Sequence, residues 1–194
     1  RDLGGVRLVH VSTDEVYGSL SPTDPQFTES SSLDPNSPYA ASKASADLVA
    51  LASCRTYDLP VLITRCTNNY GPFQFPEKLL PLLIANAVED KTIPVYGDGM
   101  QVRDWIYVKD HAETLINVQN SGLMNDAFLI GVRNEQSNIK LAKDILNLIY
   151  PSKPYEELIQ YVDDRLGHDF RYALDNSKLE KKLNKKLSNN FEKE

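Results

Sequence analysis

Val6-Arg7-Leu8-Val9-His10-Val11-Ser12-Thr13-Asp14-Glu15-Val16-Tyr17-Gly18 is the stretch on which the fold turns. Its first six residues form a short, mostly apolar run bounded by Gly5 and Ser12. Such a run suits a strand buried inside a parallel sheet. Thr13, Asp14 and Glu15 then place a hydroxyl and two adjacent carboxylates where that strand ends. Open α/β sheets bind ligands beyond the carboxyl ends of their strands, which makes these three residues site candidates. Neighbouring carboxylates can be driven to different proton affinities, one kept as acid and the other as base. An isolated Asp-Glu pair also fits a plain hydrated turn, so the surrounding chain has to decide.

Working outward, residues 12–38 read as a long polar loop containing Pro22, Pro25, Pro35 and Pro38. Loops of this length in compact domains are usually functional or disordered. Ser37 or Pro38 starts a helix, because both are favoured at helix beginnings. Ala44, Leu48, Leu51 and Ala52 follow at helical spacing, and the helix fades near Tyr57-Asp58. Strands are expected at 60–64, 93–96, 105–108, 127–130 and 159–162. Helices are expected at 76–90, distorted by Pro81, and at 109–120. Ile139, Leu141, Ala142, Ile145, Leu146 and Ile149 mark an amphipathic helix, and Leu179, Leu183 and Leu187 a short basic one. Alternating strands and helices argue for an α/β class with parallel pairing.

Composition narrows the function. The 194 residues carry 21 Lys+Arg against 27 Asp+Glu, a net charge of −6, which argues against a nucleic-acid partner. No apolar run approaches the roughly 20 residues of a membrane span. Cys54 and Cys66 are spaced neither for zinc nor as a disulfide framework, so a reducing, cytoplasmic setting is expected and no metal site is. Lys178, Lys181, Lys182, Lys185 and Lys186 read as a solvated face, since Glu180 interleaves.

Tyr39-Ala40-Ala41-Ser42-Lys43 supplies the second chemical signal. Positions i and i+4 share a helix face. An ammonium there would lower the phenol's proton affinity and make Tyr39 a base for a sugar hydroxyl. The spacing alone fits an exposed Tyr and Lys on one helix face equally well.

The order of several stretches adds the missing context. They are Ser12-Thr13-Asp14-Glu15-Val16-Tyr17-Gly18, Ser37-Pro38-Tyr39-Ala40-Ala41-Ser42-Lys43, Asn68-Asn69-Tyr70-Gly71-Pro72 and Phe75-Pro76-Glu77-Lys78-Leu79. Tyr96-Gly97-Asp98-Gly99, Arg103-Asp104-Trp105 and Asp164-Arg165-Leu166-Gly167-His168-Asp169 complete the set. In this order they resemble the extended short-chain dehydrogenase/reductase family, and within it the nucleotide-sugar 4,6-dehydratases. The resemblance spans nearly the whole chain. The Thr-Asp-Glu triplet separates it from the family's epimerases.

The resemblance implies a partial Rossmann-like doubly wound parallel sheet, later strands only, with a smaller C-terminal α/β substrate-binding region. Residues 1–70 would be the back of the NAD-binding domain. Residues 71–194 would be mainly nucleotide-sugar-binding, with some segments returning to the Rossmann sheet. It implies that Tyr39 takes the proton of the sugar 4-hydroxyl, helped by Thr13, while NAD takes the hydride. Lys43 would tune Tyr39 and hold the nicotinamide ribose, and Asn69 would lie near the nicotinamide. Glu15 would remove the proton on carbon 5, and Asp14 would protonate the departing 6-hydroxyl. Asn68, Lys78, Leu79, Pro94, Tyr96, Arg103, Asn138, Arg165 and His168 match nucleotide-sugar positions. Arg103 and Arg165 suit a diphosphate, which a guanidinium fork grips better than a point charge. The implied partners are dTDP-glucose, with UDP-glucose as the alternative, and a second copy of the chain as a homodimer.

Two departures stand out. Leu166 occupies a position where the family usually has Pro. No Gly-x-x-Gly-x-x-Gly turn for a dinucleotide pyrophosphate occurs among the nine glycines. With Arg1 first, a polar, Gly-rich opening to Gly5, and a stop shortly after Phe191, the chain reads as an interior piece of a longer protein. A processed terminus is the other reading of Arg1, and a non-catalytic nucleotide-sugar-binding module the other reading of the missing turn.

Overall fold

The protein is described by a computed structural model covering residues 6–152 and 154–187. The Gly-rich opening and the stop after Phe191 lie outside the described residues. A parallel sheet is built from β1 (Leu8–Thr13), β2 (Val61–Cys66) and β6 (Asp126–Ile130), in the order β1-β2-β6. Parallel strands need a crossover, and α1 (Pro38–Tyr57) provides the one between β1 and β2. Its start follows from chemistry: Ser37 Oγ accepts the Ala40 N–H at 3.1 Å, and Pro38 sits where its missing N–H costs nothing. Asp58, left-handed at φ 54°, ends it. Ala40, Ala44 and Ala50 line its buried face, small enough for close approach to the sheet.

A second layer holds β3 (Asn68–Tyr70), β5 (Val102–Tyr107) and β7 (Glu135–Ser137), and a third pairs β4 (Ile93–Tyr96) with β8 (Ile159–Val162). Helices α2 (Leu79–Val88) and α4 (Asn138–Ile149) pack on these two sheets, α3 (Val108–Asn120) lies against β2, β3 and β5, and α5 (Ser177–Leu183) lies against β6. Leu62, Ile106, Val118, Phe128, Ile130 and Leu179 form one core. Leu83, Ala87, Ile93, Val95, Ala142 and Leu146 form another between α2, α4 and β4.

Several expectations shift. β1 begins two residues later than read, and α2 begins at Leu79 because residues 75–78 form a turn closed by Lys78 N–H to the Phe75 carbonyl at 3.0 Å. Pro81 causes no distortion: it sits in the first turn, where the amides lack intrahelical acceptors anyway. β3 and β7 appear where the sequence reading placed no strand, being three residues each and too short and polar to show a period. The polar loop after Gly18 is strapped down by the chain's last third. Leu20 donates to the Arg171 carbonyl at 3.0 Å, and Phe27 to the Ala173 carbonyl at 2.9 Å. Arg171 meanwhile forks onto Glu135 at 2.7 and 3.1 Å.

Asp104, wholly buried on β5, ties the layers together. Its carboxylate accepts the amides of Val132, Arg133 and Asn134 at 3.0, 3.2 and 2.7 Å. Gly131 makes room, since a Cβ there would stand 2.6 Å from Asp104 Oδ2. Asp104→Ala would leave buried amides unpaired and is expected to lower the unfolding free energy by about 3 kcal/mol or more. Urea denaturation measures this, and a loss under about 1 kcal/mol would refute the clamp.

Candidate active site

The register of β1 on β2 ends with Thr13 opposite Cys66, so both strands release their chains at one edge. Beyond Thr13 the chain tightens at once into a 310 turn, Asp14–Tyr17. The Thr13 hydroxyl caps it, accepting the Glu15 amide at 3.3 Å and donating to Asp14 Oδ1 at 3.2 Å. Asp14 is only 2% exposed, and its Oδ2 has no partner. Burial, then the Glu15 charge, pushes its pKa up to about 8 against the pull of Arg103 and of Thr13. Glu15 is half-buried and is raised too, chiefly by burial, with Arg103 opposing. Arg165 and Lys78 also pull Glu15 down, while Asp169 lifts it.

Tyr39 stands on the first turn of α1 with its side chain half-exposed. Its proton affinity is raised by burial and by the charges of Glu15, Cys66 and Asp14. This corrects the expected effect of the i+4 ammonium. Lys43 Nζ instead donates to the Val11 carbonyl at 2.7 Å, and burial, followed by the Glu15 charge, decides the proton affinity of the phenol. The Cys66 thiol, pushed up to about 12 by burial and by Asp14, is a neutral wall of the site.

Asn69, on β3, donates to Cys66 Sγ at 3.5 Å and to the Thr67 carbonyl at 3.2 Å. Its Oδ1 meets His111 Nδ1 at 2.7 Å. Burial drives His111 down to about 4, so the ring is neutral and Nδ1–H donates to Asn69.

Arg103 also departs from expectation. Rather than offering an open fork, it is 6% exposed, with NH1 donating to the Val102 and Phe170 carbonyls and NH2 to the Asp169 carbonyl. Its guanidinium lies 4.3 Å from the Tyr172 ring centroid. Asp169 accepts from the Tyr172 hydroxyl at 2.5 Å and from Asn36 Nδ2 at 2.6 Å. Arg103 therefore acts first as a fixed positive charge beside Asp14 and Glu15.

The remaining candidates gather in a second group. Tyr96, on β4 two residues after Pro94, has Arg165 5.4 Å from its ring centroid and the His168 ring edge-on at 6.4 Å. His168 Nδ1 pairs with Asp164 Oδ1 at 2.6 Å, and Gln101 Nε2 donates to Asp164 Oδ2 at 2.9 Å. Burial holds His168 below its usual range against that Asp164 bond. Asn138 joins through its amide to the Gln101 carbonyl at 3.0 Å, and its buried Oδ1 has no partner. Lys78 and Leu79 open α2, and Asn68 lies opposite Trp105 in the β3–β5 pair. Leu166 is fully exposed. Among the described residues no group of three or more His, Cys, Asp or Glu could hold a metal ion, and no helix is long and apolar enough to cross a membrane.

Sequence reading missed Asp169, Tyr172 and His111. Apart from the bond between Asp169 and Tyr172, their partners are the Arg103 guanidinium and the side-chain amides of Asn36 and Asn69, which only folding brings close, so spacing carries no trace of them.

Comparison with known proteins places these features in a family. The family described as GDP-mannose 4,6 dehydratase matches residues 1–193. The dTDP-glucose 4,6-dehydratase of Neisseria meningitidis serogroup B is 51% identical over 185 residues, covering 91% of this chain and 52% of that protein. The crystal structure of the dTDP-glucose 4,6-dehydratase of Bacillus anthracis in complex with NAD superposes with a TM-score of 0.89 at 47% identity, covering 96% of this chain and 58% of that one. DesIV, the Streptomyces venezuelae dTDP-glucose 4,6-dehydratase with NAD and TYD bound, gives the same score and identity, covering 96% and 56%. The chain spans about half the length of the curated relatives it matches. At this likeness the architecture is the Rossmann-like α/β fold of those dehydratases.

Asp14 has a testable thermodynamic signature. Its folded pKa is raised from 3.8 to about 8, so the native state holds a proton that the unfolded chain gives up earlier. Its contribution to stability is complete below pH 3.8 and is lost as pH rises through about 8. Asp14→Asn should therefore gain stability relative to the parent as pH is raised across that window. Denaturation midpoints at both ends measure it, and a pH-independent difference would refute the buried neutral acid.

Proposed function

The chain belongs to the GDP-mannose 4,6 dehydratase family, and from that premise we propose that it carries the acid–base centre and the nucleotide-sugar wall of a dTDP-glucose 4,6-dehydratase. One observation carries the reading: adjacent carboxylates at the carboxyl edge of a parallel sheet, of which Asp14 is neutral at neutral pH. An acid and a base on consecutive residues serve adjacent carbons of one sugar. Glu15, the more exposed of the two, removes the proton on carbon 5 once carbon 4 is a ketone. Asp14, holding its proton, gives it to the departing 6-hydroxyl, and water leaves. Thr13 hydrogen-bonds the 4-hydroxyl, and Tyr39 accepts that hydroxyl's proton as the phenolate, a form that burial and Glu15 oppose and that the Lys43 ammonium and the positive charge of bound NAD would favour. The product is a 4-keto-6-deoxy sugar nucleotide.

The cofactor implied is NAD. The donor set at the β1 edge fits it: a half-exposed phenol, the Lys43 ammonium one turn on, and the Asn69 amide fixed by His111. Tyr39, Lys43 and Asn69 would hold the nicotinamide end, and the chemistry NAD supplies when bound is acceptance and return of a hydride. Asn68, Lys78, Leu79, Pro94, Tyr96, Arg103, Asn138, Arg165 and His168 line the sugar-nucleotide side. Residues 1–70 serve the cofactor domain and residues 71–194 mainly the sugar nucleotide, with β6 returning to the first sheet. The exposed Leu48 and Val49 on α1 support a homodimer through that helix, and two free cysteines suit the cytoplasm.

In the whole protein, Glu15→Gln is expected to slow water loss from dTDP-glucose about a hundredfold or more. The Kd for the sugar nucleotide, by calorimetry, should hardly change. A parental rate would sink the base assignment. Competition between dTDP-glucose and UDP-glucose tests the nucleotide, and preferred turnover of the uridine substrate would overturn the thymidine assignment.

A further inference from the structure

A buried charged cluster lies next to the proposed reaction without taking part in it. Arg65 on β2 is 3% exposed, and Asp47 on α1 is fully buried. Arg65 Nε donates to Asp47 Oδ2 at 2.7 Å, and NH1 donates to the Tyr17 hydroxyl at 2.6 Å. The guanidinium carbon also stands 5.0 Å from the Tyr17 ring centroid. His10 Nε2, on β1, approaches Asp47 Oδ1 to 3.1 Å, an ion-pair distance without hydrogen-bond alignment. Tyr17 stacks on Phe27 at 4.9 Å. One guanidinium thus joins β2, α1 and the 310 turn, and Asp47 extends the cluster to β1.

Buried ion pairs seldom stabilise a fold more than apolar side chains of the same volume would, and fixing one arrangement of their elements is a better-supported role. The arrangement here is specific. Tyr39, Lys43 and Asp47 follow one another at i, i+4 spacing and form a single stripe of α1. Lys43 is bonded to the Val11 carbonyl, and Asp47 reaches His10, one residue earlier on β1, and Arg65, one residue before Cys66. Tyr17 stands two residues after Glu15 in the same turn.

We propose that Arg65 is a positioning residue that sets α1, with Tyr39 and Lys43, against the turn that carries Asp14 and Glu15. It does so by gripping Asp47 and the Tyr17 hydroxyl at once. Its meaning for catalysis rests on the dehydratase reading; its meaning for the relative placement of the two elements does not.

The test replaces the pair with apolar side chains, Arg65→Met with Asp47→Leu. The variant is expected to unfold at a urea midpoint close to the parent's. Its amides in residues 13–18 and 37–44 should exchange about tenfold faster, while those of β6 do not change. In the whole protein kcat for dehydration should fall about tenfold or more, with KM for the sugar nucleotide within about threefold. Tyr17→Phe removes only the hydroxyl bond. It should give the same pattern at smaller amplitude, and it decides the matter if the double variant does not fold. Unchanged exchange in both segments of a folded variant overturns the proposal. If the unsubstituted protein does not dehydrate the sugar nucleotide, the dehydratase reading fails instead, and the exchange result still decides the positioning role.

Discussion

The parallel pairing of β1 with β2 is the constraint on which the rest depends. Parallel strands end on a common edge, and the register brings Thr13 and Cys66 there together. The turn after β1 and the loop after β2 then have to share one space. The first supplies Asp14 and Glu15, and β3, which follows the second, supplies Asn69. The crossover helix must return over the same two strands, which brings the stripe of Tyr39 and Lys43 back to that edge. Ala40, Ala44 and Ala50 let the helix lie close, so a few side-chain bonds are enough to set its position.

Three buried aspartates show how the chain separates structure from chemistry. Asp104 is satisfied by three amides and acts as a clamp. Asp47 has the Arg65 guanidinium on Oδ2, while its Oδ1, without a hydrogen bond, lies 3.1 Å from His10 Nε2. Asp14 has only the Thr13 hydroxyl, and one of its oxygens is left bare. A buried carboxyl with so little support keeps its proton rather than ionise. The residue that is worst satisfied is therefore the one poised to give a proton away.

Much of this was legible in the sequence. The start and end of α1 follow from Ser37, Pro38 and the αL-tolerant Asp58, and the apolar face of α4 follows from its period. Thr13, Asp14, Glu15, Tyr39 and Lys43 were legible as one candidate group because they sit in two short, dense stretches. What escaped was of another kind. β3 and β7 are too short to show alternation. The commitment of Arg103 to carbonyls, and the raised proton affinity of Tyr39, depend on which distant charges the fold brings near. An i+4 lysine predicts a lowered phenol only when burial and nearby carboxylates do not act on the same group, and here burial and then Glu15 raise it.

The two halves of the site are joined by main chain more than by side chains. The segment that carries Arg165 and His168 runs on through Asp169 and Phe170, whose carbonyls hold Arg103. It then pairs with the strapped loop at Leu20 and Phe27. Arg103 is the strongest positive influence on Glu15 and also pulls on Asp14. The segment that carries Arg165 and His168 thus also fixes the charge that acts on Asp14 and Glu15. Because the acceptors are carbonyls, the link survives changes of side chain along the segment as long as its backbone path is kept. The group of Tyr96, Arg165 and His168 and the pair of Asp14 and Glu15 are therefore tied through one stretch of main chain. In the dehydratase proposed above, that coupling would keep Glu15 and Asp14 aligned with one sugar ring while two of its neighbouring carbons react in turn.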